Sequence, residues 1–96
     1  MRKLTEEFEA TLLRDGFSAD IRAIKLGTAN HEHVHPLDEQ GLVLGGGVTL
    51  TITAGSHTYR RGQIFTMEAG HPHSEWIGPQ GLRDMVGRLH KTSADT

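Results

Sequence analysis

Seven histidines stand in this 96-residue chain; His31, His33 and His35 fall in one brief segment, His71 and His73 in another. The clustering is more informative than the number. Side chains two residues apart on an extended strand share a face, so His33 and His35 offer two imidazoles to one space, a natural bidentate grip on a cation. Glu39 follows Pro36-Leu37-Asp38, a stretch short enough to turn, which can bring its carboxylate back to the same space. A fourth donor must come from another segment. His73, beside Pro72 and after a glycine-marked turn, is the candidate. Three neutral imidazoles and a carboxylate suit one divalent transition metal (Mn, Fe, Co, Ni, Cu or Zn), whereas Ca and Mg prefer oxygen shells. Such a set leaves positions open for water, dioxygen or substrate oxygens, and an open position distinguishes a working metal from a structural one.

The elements that must carry these donors are short. Leu4, Phe8 and Leu12 recur at helical spacing, with Thr5 as a candidate N-cap and Gly16 as a terminator, which predicts one amphipathic helix near residues 5–14. Beyond Gly16 the pattern changes. Ile21 to Leu26 is strand-like, Leu42 to Leu44 is a short apolar run, and Val48, Leu50 and Ile52 alternate with Thr49, Thr51 and Thr53. Turns are signalled at Gly45-Gly46-Gly47, Ala54-Gly55-Ser56, Arg61-Gly62, Ala69-Gly70 and Gly78-Pro79-Gln80-Gly81, close enough that only short strands fit between them. Short strands without intervening helices imply an all-β sandwich or barrel. The expected organisation is a helical extension over 1–18, a barrel over 19–91 and a tail over 92–96.

At this point the chain resembles the cupin family. The family's first motif is a glycine, five residues, His-x-His, three or four residues, Glu, six residues and a glycine; Gly27, His33, His35, Glu39 and Gly46 fill every position. Its second motif is a glycine, five residues, Pro-x-Gly, two residues, His, three residues and Asn. Gly62, Gly70 and His73 match it, while Glu68 replaces the proline and Ile77 the asparagine. The motifs and their fifteen-residue spacer cover residues 27–77, about half the chain. The resemblance implies a jelly-roll or double-stranded β-helix barrel, metal ligation by His33, His35, Glu39 and His73, a small organic molecule in the barrel, and a homodimer.

Other residues are weaker candidates. Glu75 shares the parity of His73 and is the candidate general base, with an exposed rim position as the alternative. Trp76 is then expected to face the other way, into the packing between sheets. His31 and His71 have the parity of extra donors or proton shuttles, but strands often end there and parity fails across a turn, so both are read as strand-end residues with the donor role as the lesser option. His57 and His90 read as peripheral, and Arg60, Arg61 and Arg83 as solvated charges with anion binding as the lesser option.

Composition narrows the partners. A net charge of -2 and a 5% aromatic fraction point away from nucleic acid. No stretch approaches the roughly 20 apolar residues of a membrane span, and Met1 to Glu7 lacks a signal-peptide core, so the reading is a cytoplasmic chain. The absence of cysteine excludes disulfides and thiol chemistry. Gly45-Gly46-Gly47 lacks the Lys and Ser or Thr of a phosphate loop, and no Ser, His, Asp triad spacing stands out. Two readings follow. One is a metalloenzyme of dioxygenase, isomerase or lyase type; the other is a ligand-binding or sensor module with a structural metal, which a lumen filled by Val43 and Met67 would favour.

Overall fold

The computed structural model describes residues 1–33 and 36–90, the side chains of 31–33 excepted. Helix α1 (Arg2–Arg14) is followed by strands β1 (Asp20–Ile24), β2 (Ala29–His33), β3 (Leu37–Ile52), β4 (Gly55–Arg60), β5 (Ile64–Met67) and β6 (His73–His90). All strand pairings are antiparallel.

Two long strands, β3 and β6, pair along their lengths and serve two sheets. Their Leu37–Val43 and Asp84–His90 stretches sit between β5 and β1, and Val48–Thr51 with Ser74–Ile77 sits between β4 and β2. Val43, Phe65 and Met67 from the first sheet pack against Val48, Leu50 and Ile77 from the second, with Leu82 at the bend. Burying these side chains between two inner faces is what closes the barrel.

The glycine clusters therefore do not end strands as expected. Gly45-Gly46-Gly47 lies inside β3 and Gly78-Pro79-Gln80-Gly81 inside β6, at register shifts where both strands bend from one sheet into the other. Gly46 and Gly81 have φ of +70° and +74°, and a Cβ on Gly46 would collide with the Gly81 carbonyl. The turn expected at each cluster is instead a bulged bend within a continuing strand.

Helix α1 covers the outer face of the first sheet, where Phe8 and Leu12 pack on Leu42 and Met85. It starts earlier than expected. Met1 is the N-cap and Thr5 lies within the first turn, its hydroxyl donating to the Met1 carbonyl at 2.8 Å. Its end is as read: Gly16 takes φ +86°, and the Gly16 and Phe17 amides donate to the Leu13 and Leu12 carbonyls.

Among the described residues no layer covers the outer face of the second sheet. Thr49 and Thr58 share a 2.7 Å hydroxyl hydrogen bond there, and Trp76, opposite Thr49, is 49% exposed. The expectation of a core Trp76 is corrected: the direction opposite to Glu75 leads out of the barrel. The proposed tail, 92–96, lies outside the described residues. Among the described residues, no helix is long and apolar enough to cross a membrane.

Candidate functional site

Strand parity turns a row of polar side chains into the barrel. On β6, His73 and Glu75 share the parity of core residue Ile77; His73 is 3% exposed and the Glu75 side chain 9%. Leu50 stands opposite both Glu75 on β6 and His57 on β4, so these side chains form one inward row. Glu75 accepts from the Asn30 amide at 3.1 Å through Oε1, while its Oε2 lies 3.8 Å from His73 Nε2. His73 Nδ1 is 3.2 Å from the His71 carbonyl oxygen. The turn before His73 is tied back to β3 by the Ala69 amide, which donates to Asp38 at 2.8 Å.

The facing sheet contributes charges of both signs. Glu39 is 4% exposed and accepts from Arg88 Nε at 2.9 Å, the two residues being opposite in the β3 and β6 register. Asp84 is fully buried and accepts from Arg22 at both carboxylate oxygens, at 3.1 and 2.8 Å. Burial lowers the Arg22 pKa, but the Asp84 hydrogen bonds and charge, then the charges of Glu39 and Glu75, outweigh it, and the guanidinium is held above its ordinary value. Arg22 thus pairs with Asp84 and Arg88 with Glu39, while the third carboxylate, Glu75, lies 3.8 Å from His73 Nε2.

Two openings meet at the barrel mouth. One, of about 250 Å3, is lined by Leu50, Ile52, His57, Tyr59 and Met67 among others. The second, of about 220 Å3, is bounded by Glu68, His71 and His73 and shares Ile52, Thr66 and Met67 with the first. Behind them Val43 is fully buried and Met67 only 8% exposed.

No family model and no curated protein matches the chain. Solved structures do. The cupin domain of Cnp3 from Schizosaccharomyces pombe aligns at TM-score 0.70 and 16% identity, covering 82% of this chain and 59% of that one. An RmlC-like cupin from Shewanella frigidimarina aligns at TM-score 0.67 and 14% identity, covering 83% and 71%.

The chain has the cupin fold.

A third neighbour is the DMSP lyase DddQ from Ruegeria pomeroyi, at TM-score 0.69 and 19% identity over 80% of this chain and 40% of that one. The chain thus spans less than two thirds of the Cnp3 and lyase chains. In this chain with the cupin fold the motif glycines have a backbone reason: Gly27, Gly46, Gly62 and Gly70 all take positive φ, between +70° and +88°. The departures from the second motif are accommodated. Glu68 pairs with His71 at 3.5 Å on the rim, and Ile77 is fully buried in the core.

Of the four ligand positions, Glu39 and His73 are buried on inward faces, His33 stands opposite His73 in the ladder, and the His33 side chain and His35 lie outside the described residues, as does the His31 side chain. Among the described residues, no three His, Asp or Glu side chains converge closely enough to hold an ion. The donors present still fit a divalent cation in chemistry, since an imidazole and a carboxylate are buried on inward faces and a second carboxylate lies 3.8 Å from the imidazole. His71 lines the opening beside His73, and His57, read as peripheral, lines the other. Sequence reasoning missed Arg22, Asp84 and Arg88 altogether. The one available signal was that Arg22 and Asp84 each interrupt an apolar strand.

Proposed function

We propose that this cupin holds one divalent transition metal through His33, His35, Glu39 and His73 and acts on a small oxygen-bearing molecule, as a dioxygenase, isomerase or lyase. The observation that carries the reading is the burial of His73 and Glu39 on inward faces, with Glu75 Oε2 3.8 Å from His73 Nε2, at the end of the barrel that opens to solvent. The DMSP lyase among the structural neighbours adds weight to an enzymatic role.

When bound, the metal would supply Lewis acidity toward a substrate oxygen. The chain's own residues do the rest. Arg88 fixes one oxygen of Glu39 and leaves Oε1 for ligation. Asn30 holds Oε1 of Glu75, so that Oε2 is the atom placed to take or return a proton as general base. His73 Nδ1 at the His71 carbonyl sets the ring so that Nε2 is the ligating nitrogen.

The test is elemental analysis of untagged protein, followed by metal titration of the wild type, His73→Ala and Glu39→Gln. One equivalent of a transition metal, lost in both variants, is expected; a metal-free wild type that cannot be loaded defeats the reading. The burial of Val43 and Met67 favours a second reading, a non-catalytic ligand-binding or sensor module with a structural metal. Turnover of any substrate that disappears on chelation decides for the enzyme.

A homodimer is part of the proposal. Ile21, Leu26 and Trp76 are 54%, 66% and 49% exposed, apolar surface that a second copy could cover. Light scattering that finds only monomer at high concentration removes it. The proposed location remains the cytoplasm, with no nucleic acid or membrane as partner.

A further inference from the structure

We infer that the molecule this cupin binds is amphiphilic, with a compact apolar end, a single ring or a branched aliphatic group, seated under the β3–β4 hairpin, and an oxygen-bearing head directed at His73. The inference rests on the proposed small-molecule role and adds the substrate class. Three observations carry it.

First, the two mouth openings are contiguous, sharing Ile52, Thr66 and Met67, but differ in chemistry. Leu50 and Tyr59 line only the first, whereas Glu68, His71 and His73 line only the second, beside the shared Ile52 and Met67, so the second is mixed in character. Such a lining suits a ligand with an apolar end in the first and a polar end beside His73.

Second, Ile52 continues the inward parity of Val48 and Leu50 yet, at the end of β3, is 49% exposed. Apolar surface at the mouth of a pocket gains most when a ligand's own apolar group covers it. Tyr59 stands behind it, its ring 4.4 Å from that of His57 and 5.8 Å from that of Phe65, a fixed aromatic wall for such a group.

Third, the apolar lobe of about 250 Å3 falls short of the roughly 300–1,000 Å3 typical of drug-sized sites. Its size suits a compact apolar end such as a single ring or a branched aliphatic group.

The probes are trans-1,2-cyclohexanediol and 1,2-ethanediol, which share a neutral diol head and differ in the apolar end. Each is titrated into the full chain and followed by heteronuclear NMR. We expect cyclohexanediol to bind at least about tenfold more tightly, the value of roughly two buried methylenes, with shifts at Leu50, Ile52, Tyr59 and Met67. Ile52→Asp, at an exposed position, and Ala54→Phe, which fills the lobe from the turn, should each remove that preference. Equal affinity for the two diols, or shifts confined to other surfaces, overturns the inference. A parallel metal titration separates the two claims. Selective cyclohexanediol binding without metal binding sinks the metalloenzyme and keeps the apolar lobe, and metal binding without diol selectivity does the reverse.

Discussion

Asp84, at zero exposure on β6, accepts from both Nε and a terminal nitrogen of Arg22 on β1, with the two residues directly opposite in the ladder. A guanidinium meeting a carboxylate in this forked geometry satisfies both carboxylate oxygens and leaves little reason for water to enter the barrel from the β1 side. Because Arg22 also feels Glu39 and Glu75, the pair is electrically part of the site.

Breaking this pair from one side should cost far more than removing it whole. Arg22→Met leaves a buried carboxylate uncompensated and is expected to destabilise by about 3–5 kcal/mol, whereas Arg22→Met with Asp84→Leu should recover most of that loss. A double-mutant cycle by urea denaturation measures it, and additive losses would show that the pair is not coupled. The Arg22 pKa is raised, so its contribution is complete below the ordinary arginine value and is lost only as pH rises through a higher one. The stability of the wild type should accordingly show no step from Arg22 deprotonation up to pH 10.

The bend shared by β3 and β6 predicts a sharp contrast between neighbouring glycines. Gly46→Ala forces an L-residue to φ +70° and drives its Cβ into the Gly81 carbonyl, so a loss of at least about 2 kcal/mol is expected. Gly45→Ala meets nothing within 4 Å and should stay within about 0.5 kcal/mol of the wild type. Thermal midpoints report the difference, at about 4–8 °C per kcal/mol for a domain of this size.

These two features also show what the sequence could and could not say. The alternation of Val48 and Leu50 with Thr49 and Thr51 assigned the inner and outer faces correctly, because a two-residue period is a local property. His73 and Glu75 were placed inward by the same rule. A glycine cluster, by contrast, announces a turn but not its form, and Gly46 bends a 16-residue strand rather than ending it. Trp76 failed for a related reason, since parity tells which side a residue faces but not whether another layer lies there. The Arg22 and Asp84 pair spans 62 positions, and nothing local to either residue names the other.

Helix docking gives a prediction independent of the site. Leu12 is 1% exposed, and its methyl carbons lie 2.7 and 2.9 Å from where a Cβ on Gly87 would sit, so the helix rests on a strand position that must stay bare. Leu12→Ala should cost about 2–5 kcal/mol by opening a cavity. Gly87→Ala should also destabilise, by about 1–3 kcal/mol, through overpacking against Leu12 and the Ser18 carbonyl. Neither variant should change affinity for a divalent cation measured below its melting temperature, because both act on the outer face of the sheet.

The last prediction concerns the cation itself. A ligand that binds only the folded chain stabilises it by about 2.7 kcal/mol at 100 times its dissociation constant, which for a domain of this size raises the melting temperature by about 10–20 °C. Chelation should reverse the rise, and Glu39→Gln should abolish it. Arg88 provides the finer test. Its Nε holds Oε2 of Glu39, with the Arg88 side chain itself 39% exposed, so Arg88→Met should fold. Loss of this orienting partner is expected to weaken metal affinity about 10–100-fold without removing a ligand, while Arg88→Lys, which keeps the charge but not the planar geometry, should fall between. Were Arg88 instead to compete with the metal for Glu39, Arg88→Met would bind the metal more tightly than the wild type. The sign of the change in calorimetrically measured affinity therefore separates a supporting role for this guanidinium from a blocking one.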